Sequence, residues 1–129
     1  VVVMGSGAAY ETYTKALPAL ESRGLSFDVI HVSSVDLFDL LPEPEQDRIL
    51  PPDLAARAIG ITDFTMPTLH RFVTSERGRR ASLHPFRAGR YQGSGRADRV
   101  IEEAGLDAGS IERALEAWAS RDKVGPCST

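Results

Sequence analysis

Apolar residues along the chain switch repeatedly between unbroken runs and helical spacing, and the switches divide it into alternating strands and helices. "VVVMG" is a β-branched run closed by Gly5, the pattern of a strand buried on both faces. In "SGAAYETYTKALPALESRG", Ala8, Tyr13, Ala16, Leu17 and Leu20 recur at helical spacing up to Gly24, and Pro18 is expected to kink this helix or end a first segment. "FDVIHVS" carries Phe27, Val29, Ile30 and Val32 as a second strand. Residues 36–57, punctuated by Pro42, Pro44, Pro51 and Pro52, hold one short helix near "EQDRIL". "AIGITDF" reads as a third strand, "TMPTLHRFVTSER" as a helix with Pro67 in its first turn, and "ASLHPF" as a fourth strand. Two helices close the chain, "GRADRVIEEAG" and "DAGSIERALEAWASR", the second with Ile111, Leu115 and Trp118 on one face.

Strands separated by helices predict parallel βαβ units. The expected fold class is therefore α/β, a three-layer α/β/α sandwich around a mainly parallel sheet. Its strands fall at 1–5, 27–33, 58–64 and 81–86, in spatial order 2-1-3-4, because right-handed crossovers leave few alternatives. Residues 1–122 form one domain and "KVGPCST", 123–129, a mobile tail. A chain of 129 residues, 42% apolar and 26% charged, supports one packed core. No apolar run approaches the ~20 residues that span a bilayer, so no membrane partner is expected. Cys127 is the single cysteine, which excludes an internal disulfide and fits a cytoplasmic protein. The opening on valine rather than methionine reads as a segment of something longer.

Charge changes the picture, because it is unevenly distributed. Residues 1–69 carry 4 basic and 10 acidic side chains, residues 70–99 carry 8 arginines against Glu76 and Asp98, and the remainder carries 3 against 6. A basic block of this kind can hold phosphate. Within an acidic chain, and without the interleaved aromatics of a single-strand binder, it reads instead as arginines paired with the protein's own acidic segments or with a missing neighbour, and no nucleic-acid partner is expected.

Candidate chemistry is sparse. "GSGAAY" puts Gly5 and Gly7 at a helix start where free N–H groups can hold an anion, but the dinucleotide fingerprint needs a third glycine where Tyr10 stands. Gly5 and Gly7 thus read as a tight strand-to-helix turn. His31, His70 and His84 form no HxH or HxxxH pair, so no metal site is expected. Asp36 and Asp39 have cap-like spacing, and Ser6, Ser33, Ser34 and Ser94 lack the GxSxG context of a nucleophile. No catalytic and no cofactor-binding residue emerges. What remains is the stretch "HPFRAGRYQGSGRAD", where Arg87, Arg90, Ser94 and Arg96 are candidates for an anion-binding or interdomain contact ahead of a helix.

The ordered series "GSGAAYETYTKALPALESRGLSFDVIHVSSVDLFD", "DRILPP", "ASLHPF" and "EEAGLDAGSIERALEAW" resembles the C-terminal domain of transketolases and related thiamine-diphosphate enzymes over roughly residues 1–119. The resemblance implies a structural and assembly domain of an enzyme that moves two-carbon ketol units between sugar phosphates with thiamine diphosphate and Mg²⁺. It also implies a homodimeric parent whose thiamine-binding domains lie on the same or a companion chain. Family members carry the thiamine-binding glutamate and a Gly-Asp-Gly metal motif in two preceding domains, so the chain alone is expected to be inactive. They also begin this domain with an extra antiparallel strand ahead of the "VVVMG" equivalent. At "PFRAGRYQGSGRAD" the chain departs from the family's shorter "FG-S-A" pattern. Two alternatives stand beside this reading: the corresponding domain of a 2-oxoacid dehydrogenase E1 component, and a stand-alone anion-binding regulatory module using the Arg87–Arg99 region.

Overall fold

A computed structural model describes residues 1–85 and 105–124. Three short strands, β1 (Val2–Met4), β2 (Ile30–Val32) and β3 (Gly60–Thr62), form a parallel sheet in the order β2-β1-β3. Val2, Val3 and Met4 pair with Ile30, His31 and Val32 on one side and with Gly60, Ile61 and Thr62 on the other. All three residues of β1 are buried, as an apolar run sandwiched between helices requires. The fold is thus α/β with a small parallel sheet, and the first three expected strands are present in shortened form.

The strand expected at 81–86 is reduced to a single parallel bridge. Ala81 is the last residue of helix α6 (Glu76–Ala81), and among the described residues of this segment Leu83 alone pairs its backbone with β3, where its N–H donates to Gly60 O at 2.9 Å and its carbonyl accepts Thr62 N–H at 3.0 Å. Between them the buried Ser82 hydroxyl donates to Gly78 O at 2.6 Å and accepts Gly60 N–H at 2.8 Å. A side chain therefore makes a junction that a longer ladder would have made with backbone groups.

Helices cover both faces. Val3 and Ile61 pack on one side against α1 (Ser6–Glu11), α2 (Leu17–Ser22) and α7 (Ala108–Val124), through Ala8, Ala16, Leu20, Ile111, Leu115 and Trp118. Val2, Met4 and Val32 pack on the other against Leu50, Ala55, Leu69, Phe72 and Val73. Burial of each large side chain stabilises by about 1.5–3 kcal/mol before chain entropy is counted. Most of the favourable free energy therefore comes from helix-to-sheet packing rather than from three-residue strands.

Pro18 does not end its helix. Leu17 N–H donates to Thr12 O, five residues back, and Thr12–Ala16 form a π-helical turn that joins α1 to α2. Pro18 lacks an N–H, and its ring would collide with the carbonyl four residues before it. Widening the preceding turn removes that collision and lets the helix run on to Ser22. Thr12 is fully buried there, and its hydroxyl has no partner.

Two other segments differ from their expected form. Residues 36–57 give three helices rather than one: α3 (Val35–Asp39), α4 (Glu43–Ile49) and α5 (Pro52–Ala56). Ser34 caps the first by accepting Leu37 N–H at 3.2 Å, and prolines open the other two, where a missing N–H costs nothing. The helix expected over 65–77 is a 3₁₀ turn at Met66–Leu69 followed by irregular chain. Leu69, Phe72 and Val73 keep helical spacing, but long-range bonds claim the backbone. Thr74 N–H donates to Ala55 O at 3.1 Å, and Arg79 donates to Val73 O at 2.7 Å and His70 O at 2.9 Å.

Asp107 starts α7. Its carboxylate accepts the Ser110 hydroxyl at 2.6 Å and Ser110 N–H at 3.2 Å. Burial acts to raise its pKa, but these bonds and the Arg113 charge outweigh it and hold the carboxyl below the usual carboxylate value. The helix "GRADRVIEEAG" expected near 95–105 lies outside the described residues apart from Gly105, as do 125–129 of the expected tail. Among the described residues no helix is long and apolar enough to cross a membrane.

Three expectations follow. At Gly78 an added Cβ would strike the carbonyl oxygen of Ala58, a backbone atom that cannot turn aside. Gly78→Ala should therefore lower unfolding free energy by about 1–3 kcal/mol in urea titrations. Thr12→Val, which removes only an orphan hydroxyl, should be neutral or stabilising by up to about 1 kcal/mol. For Asp107 the lowered folded pKa means that its contribution is complete above the unfolded carboxylate pKa. It is lost as pH falls through the folded value, so the stability gap between wild type and Asp107→Ala should be constant near neutrality and close below about pH 4.

Candidate functional site

All three strands present their carboxyl ends to one edge of the sheet, bringing Gly5-Ser6-Gly7, Ser33-Ser34 and Asp63-Phe64 to the same end of the domain. The connection leaving β1 runs over one face to β2, and the connection leaving β2 returns over the other face to β3. The chain therefore leaves β1 and β3 in opposite directions, and in sheets of this kind the crevice between two such strands is the usual place for a ligand.

Here the crevice holds a carboxylate of the protein itself. Asp63 Oδ2 accepts Gly7 N–H and Asp63 Oδ1 accepts Ala8 N–H, each at 2.8 Å, while Ala9 N–H donates to Gly5 O at 3.0 Å. Three of the first-turn donors that a phosphate would use, Gly7, Ala8 and Ala9 N–H, are already bonded, and the charge that complements the helix start is in place. Asp63 is itself held by its N–H, which donates to Met4 O at 3.2 Å, and the following Phe64 N–H donates to Thr62 Oγ1 at 2.9 Å. Gly5 has φ 101°, and a Cβ there would lie 2.6 Å from Asp63 Oδ2. Glycine is thus required twice, for the backbone conformation and for the approach of the carboxylate. The expected role of Gly5 as a tight strand-to-helix turn describes this geometry. Asp63 itself carried no motif, and only its place directly after the third apolar run, opposite "GSG", marks it.

The remaining candidates are not brought together. His31 is exposed on β2 with its ring 6.0 Å from that of Tyr13, His70 is exposed after the 3₁₀ turn, and His84 is half-buried beside the bridge to β3. Burial raises the Tyr13 phenol above its ordinary pKa. Ser34 and Asp36 serve the start of α3, and Asp39 bonds Arg71 Nε at 2.6 Å. Among the described residues no group of His, Cys, Asp and Glu is placed to hold a metal ion. Arg87, Arg90, Ser94 and Arg96 lie outside the described residues. The described arginines of the basic block are engaged within the domain: Arg71 with Asp39 and Gln46, Arg77 over the Trp118 ring at 4.8 Å, Arg79 on two carbonyls and Arg80 with Glu76. They act as internal ties. No protein-family model matches the chain, and no curated protein matches it in sequence.

Removing the internal anion should cost stability without touching the core. Asp63→Ala is expected to lower unfolding free energy by about 1–2 kcal/mol, the range for a lost helix cap, with Asp63→Asn losing less. Gly5→Ala should cost at least as much, since it both strains φ and displaces the carboxylate. Urea titration with circular dichroism would check the ranking.

Proposed function

We propose that the chain is the C-terminal, non-catalytic domain of a transketolase-like enzyme, folded as that family's domain is, with the segment at 81–86 as the fourth sheet position. The parent transfers two-carbon ketol units between sugar phosphates, and this domain braces its assembly. Its partners in this reading are the thiamine-binding domains on the same or a companion chain and the second half of a homodimer. Support comes from the parallel β2-β1-β3 order, the Gly-Ser turn after β1 and the Phe38-Asp39 pair in the first helix after β2.

The observation that carries the non-catalytic part is the Asp63 contact in the crevice. The described residues do not fit thiamine diphosphate: at the one helix start where strand ends converge, the N–H donors are bonded to a carboxylate, which repels a diphosphate. Activation of the cofactor and the oxygen ligands for its cation would come from the other domains. What this chain supplies is a stiff end face with Tyr10 and Phe64 exposed near the closed crevice.

Purified chain should show no heat of binding with thiamine diphosphate and Mg²⁺ in calorimetry and no turnover of a ketose phosphate. Expressed together with the coding sequence that flanks it, it should enter a thiamine-dependent ketol transferase. Cofactor-dependent turnover by the isolated chain, or a flanking product without a thiamine-binding domain, would overturn the reading.

A further inference from the structure

Among the described residues, β2 is an outer strand of the sheet, pairing with β1 alone. Alternate residues of a parallel strand turn their backbone groups to opposite sides. Ile30 donates its N–H to Val1 O at 2.9 Å, so Ile30 and Val32 face β1 while His31 turns its N–H and C=O outward. A cavity of about 300 Å³ touches Ile30, His31, Val32, Ser33 and Ser34 in succession. Of these, Ile30, His31 and Val32 belong to β2; neighbouring side chains of a strand point to opposite faces, so a cavity in contact with all three reaches the strand's edge. Its far wall is apolar, built from Leu37, Phe38, Ile49 and Phe72, and Leu37 is 65% exposed.

The stretch of chain that supplies most of this lining is acidic. From Asp28 to Asp47 the sequence has six carboxylates and neither lysine nor arginine. Arg71 pairs with Asp39, Arg48 with Glu45, and Asp28 lies within the field of the N-terminal ammonium, which leaves Asp36, Glu43 and Asp47 without a cationic partner among the described residues. A second copy docked through the same edge would set one acidic stretch against another. The chain's own Leu83 lies beyond β3, on the opposite edge of the sheet.

We propose that the β2 edge and its groove bind an extended segment of a separate partner protein, with apolar side chains at alternate positions and lysine or arginine between them. The outward backbone of His31 selects an extended chain, the apolar wall selects every second side chain, and the carboxylates select the charge of the rest. This inference goes beyond the assembly role above and does not rest on it.

Fluorescence polarisation with a labelled heptapeptide, KVKIKVK, tests it on the purified chain. Saturable binding is expected, weakening as salt rises. Leu37→Asn, and alternate N-methylation of the peptide, should each weaken it by about tenfold or more. His31→Pro should act likewise, since its N–H faces outward and proline is tolerated at sheet edges. Leu37 is exposed enough for its substitution to leave the fold intact, as circular dichroism would verify, and the N-methylated peptide leaves the protein unaltered. No saturable binding, equal binding of EVEIEVE, or an unaffected N-methylated peptide would overturn the proposal. A dimer in sedimentation velocity that Leu37→Asn dissolves would assign the edge to a second copy and overturn it as well.

Discussion

Strand β1 has no solvent on either face, and the architecture follows from that constraint. Val2, Val3 and Met4 are at most 4% exposed, with Val3 turned to one core and Val2 and Met4 to the other. A strand in this position needs a paired strand on each edge and a helix layer on each face, because every unpaired buried backbone group is costly. The chain meets this by crossing to β2 on one side and back to β3 on the other. Right-handed connections in opposite directions place their helices on opposite faces. Two cores on two sides of one sheet are thus a consequence of burying three residues completely.

The same crossing pattern creates the crevice in which Asp63 sits. Where two neighbouring strands send the chain in opposite directions, their carboxyl ends leave a gap, and a helix start beside it directs N–H groups into that gap. A ligand is one way to satisfy those groups and a carboxylate from the adjoining strand end is another. This chain uses the second. The bonds from Gly7 and Ala8 to Asp63 join residues 56 and 55 positions apart, so they also tie β3 to the helix that follows β1. A site used in this way contributes order to the strand ends rather than affinity for a small molecule.

What the sequence revealed, and what it hid, divides along the range of the interactions concerned. The three strands were legible because short β-branched apolar runs separate the helical patterns, and their order followed from handedness. Helix α7 was legible because the spacing of Ile111, Leu115 and Trp118 on one face is a local pattern. The segment 65–77 misled because Leu69, Phe72 and Val73 are spaced for a helix, whereas the bonds that unravel it come from Ala55 and Arg79. Of the two outcomes expected at Pro18, a kink or an end, the end is avoided, since a π-turn resolves its clash without breaking the helix. Asp63 was invisible as a partner because nothing in a one-dimensional pattern pairs it with Gly7 across more than fifty residues.

Charge segregation along the sequence becomes a directional property in the fold. Arg71 and Arg79, from the basic stretch, are directed onto Asp39, Gln46 and backbone carbonyls, where they stitch the irregular segment before α6 to the layers around it. An arginine used this way contributes packing and hydrogen bonds, and its charge is partly compensated at its own site. The acidic residues of 28–47 are not compensated to the same degree, since Arg48 and Arg71 are the cations that pair with them. Among the described residues the uncompensated carboxylates therefore fall on the stretch of chain from β2 through α4. A charged partner approaching at ordinary ionic strength feels this asymmetry over roughly 8–10 Å, about one Debye length. Charge segregation of this kind acts on a partner's orientation through side chains that contribute little to the fold itself.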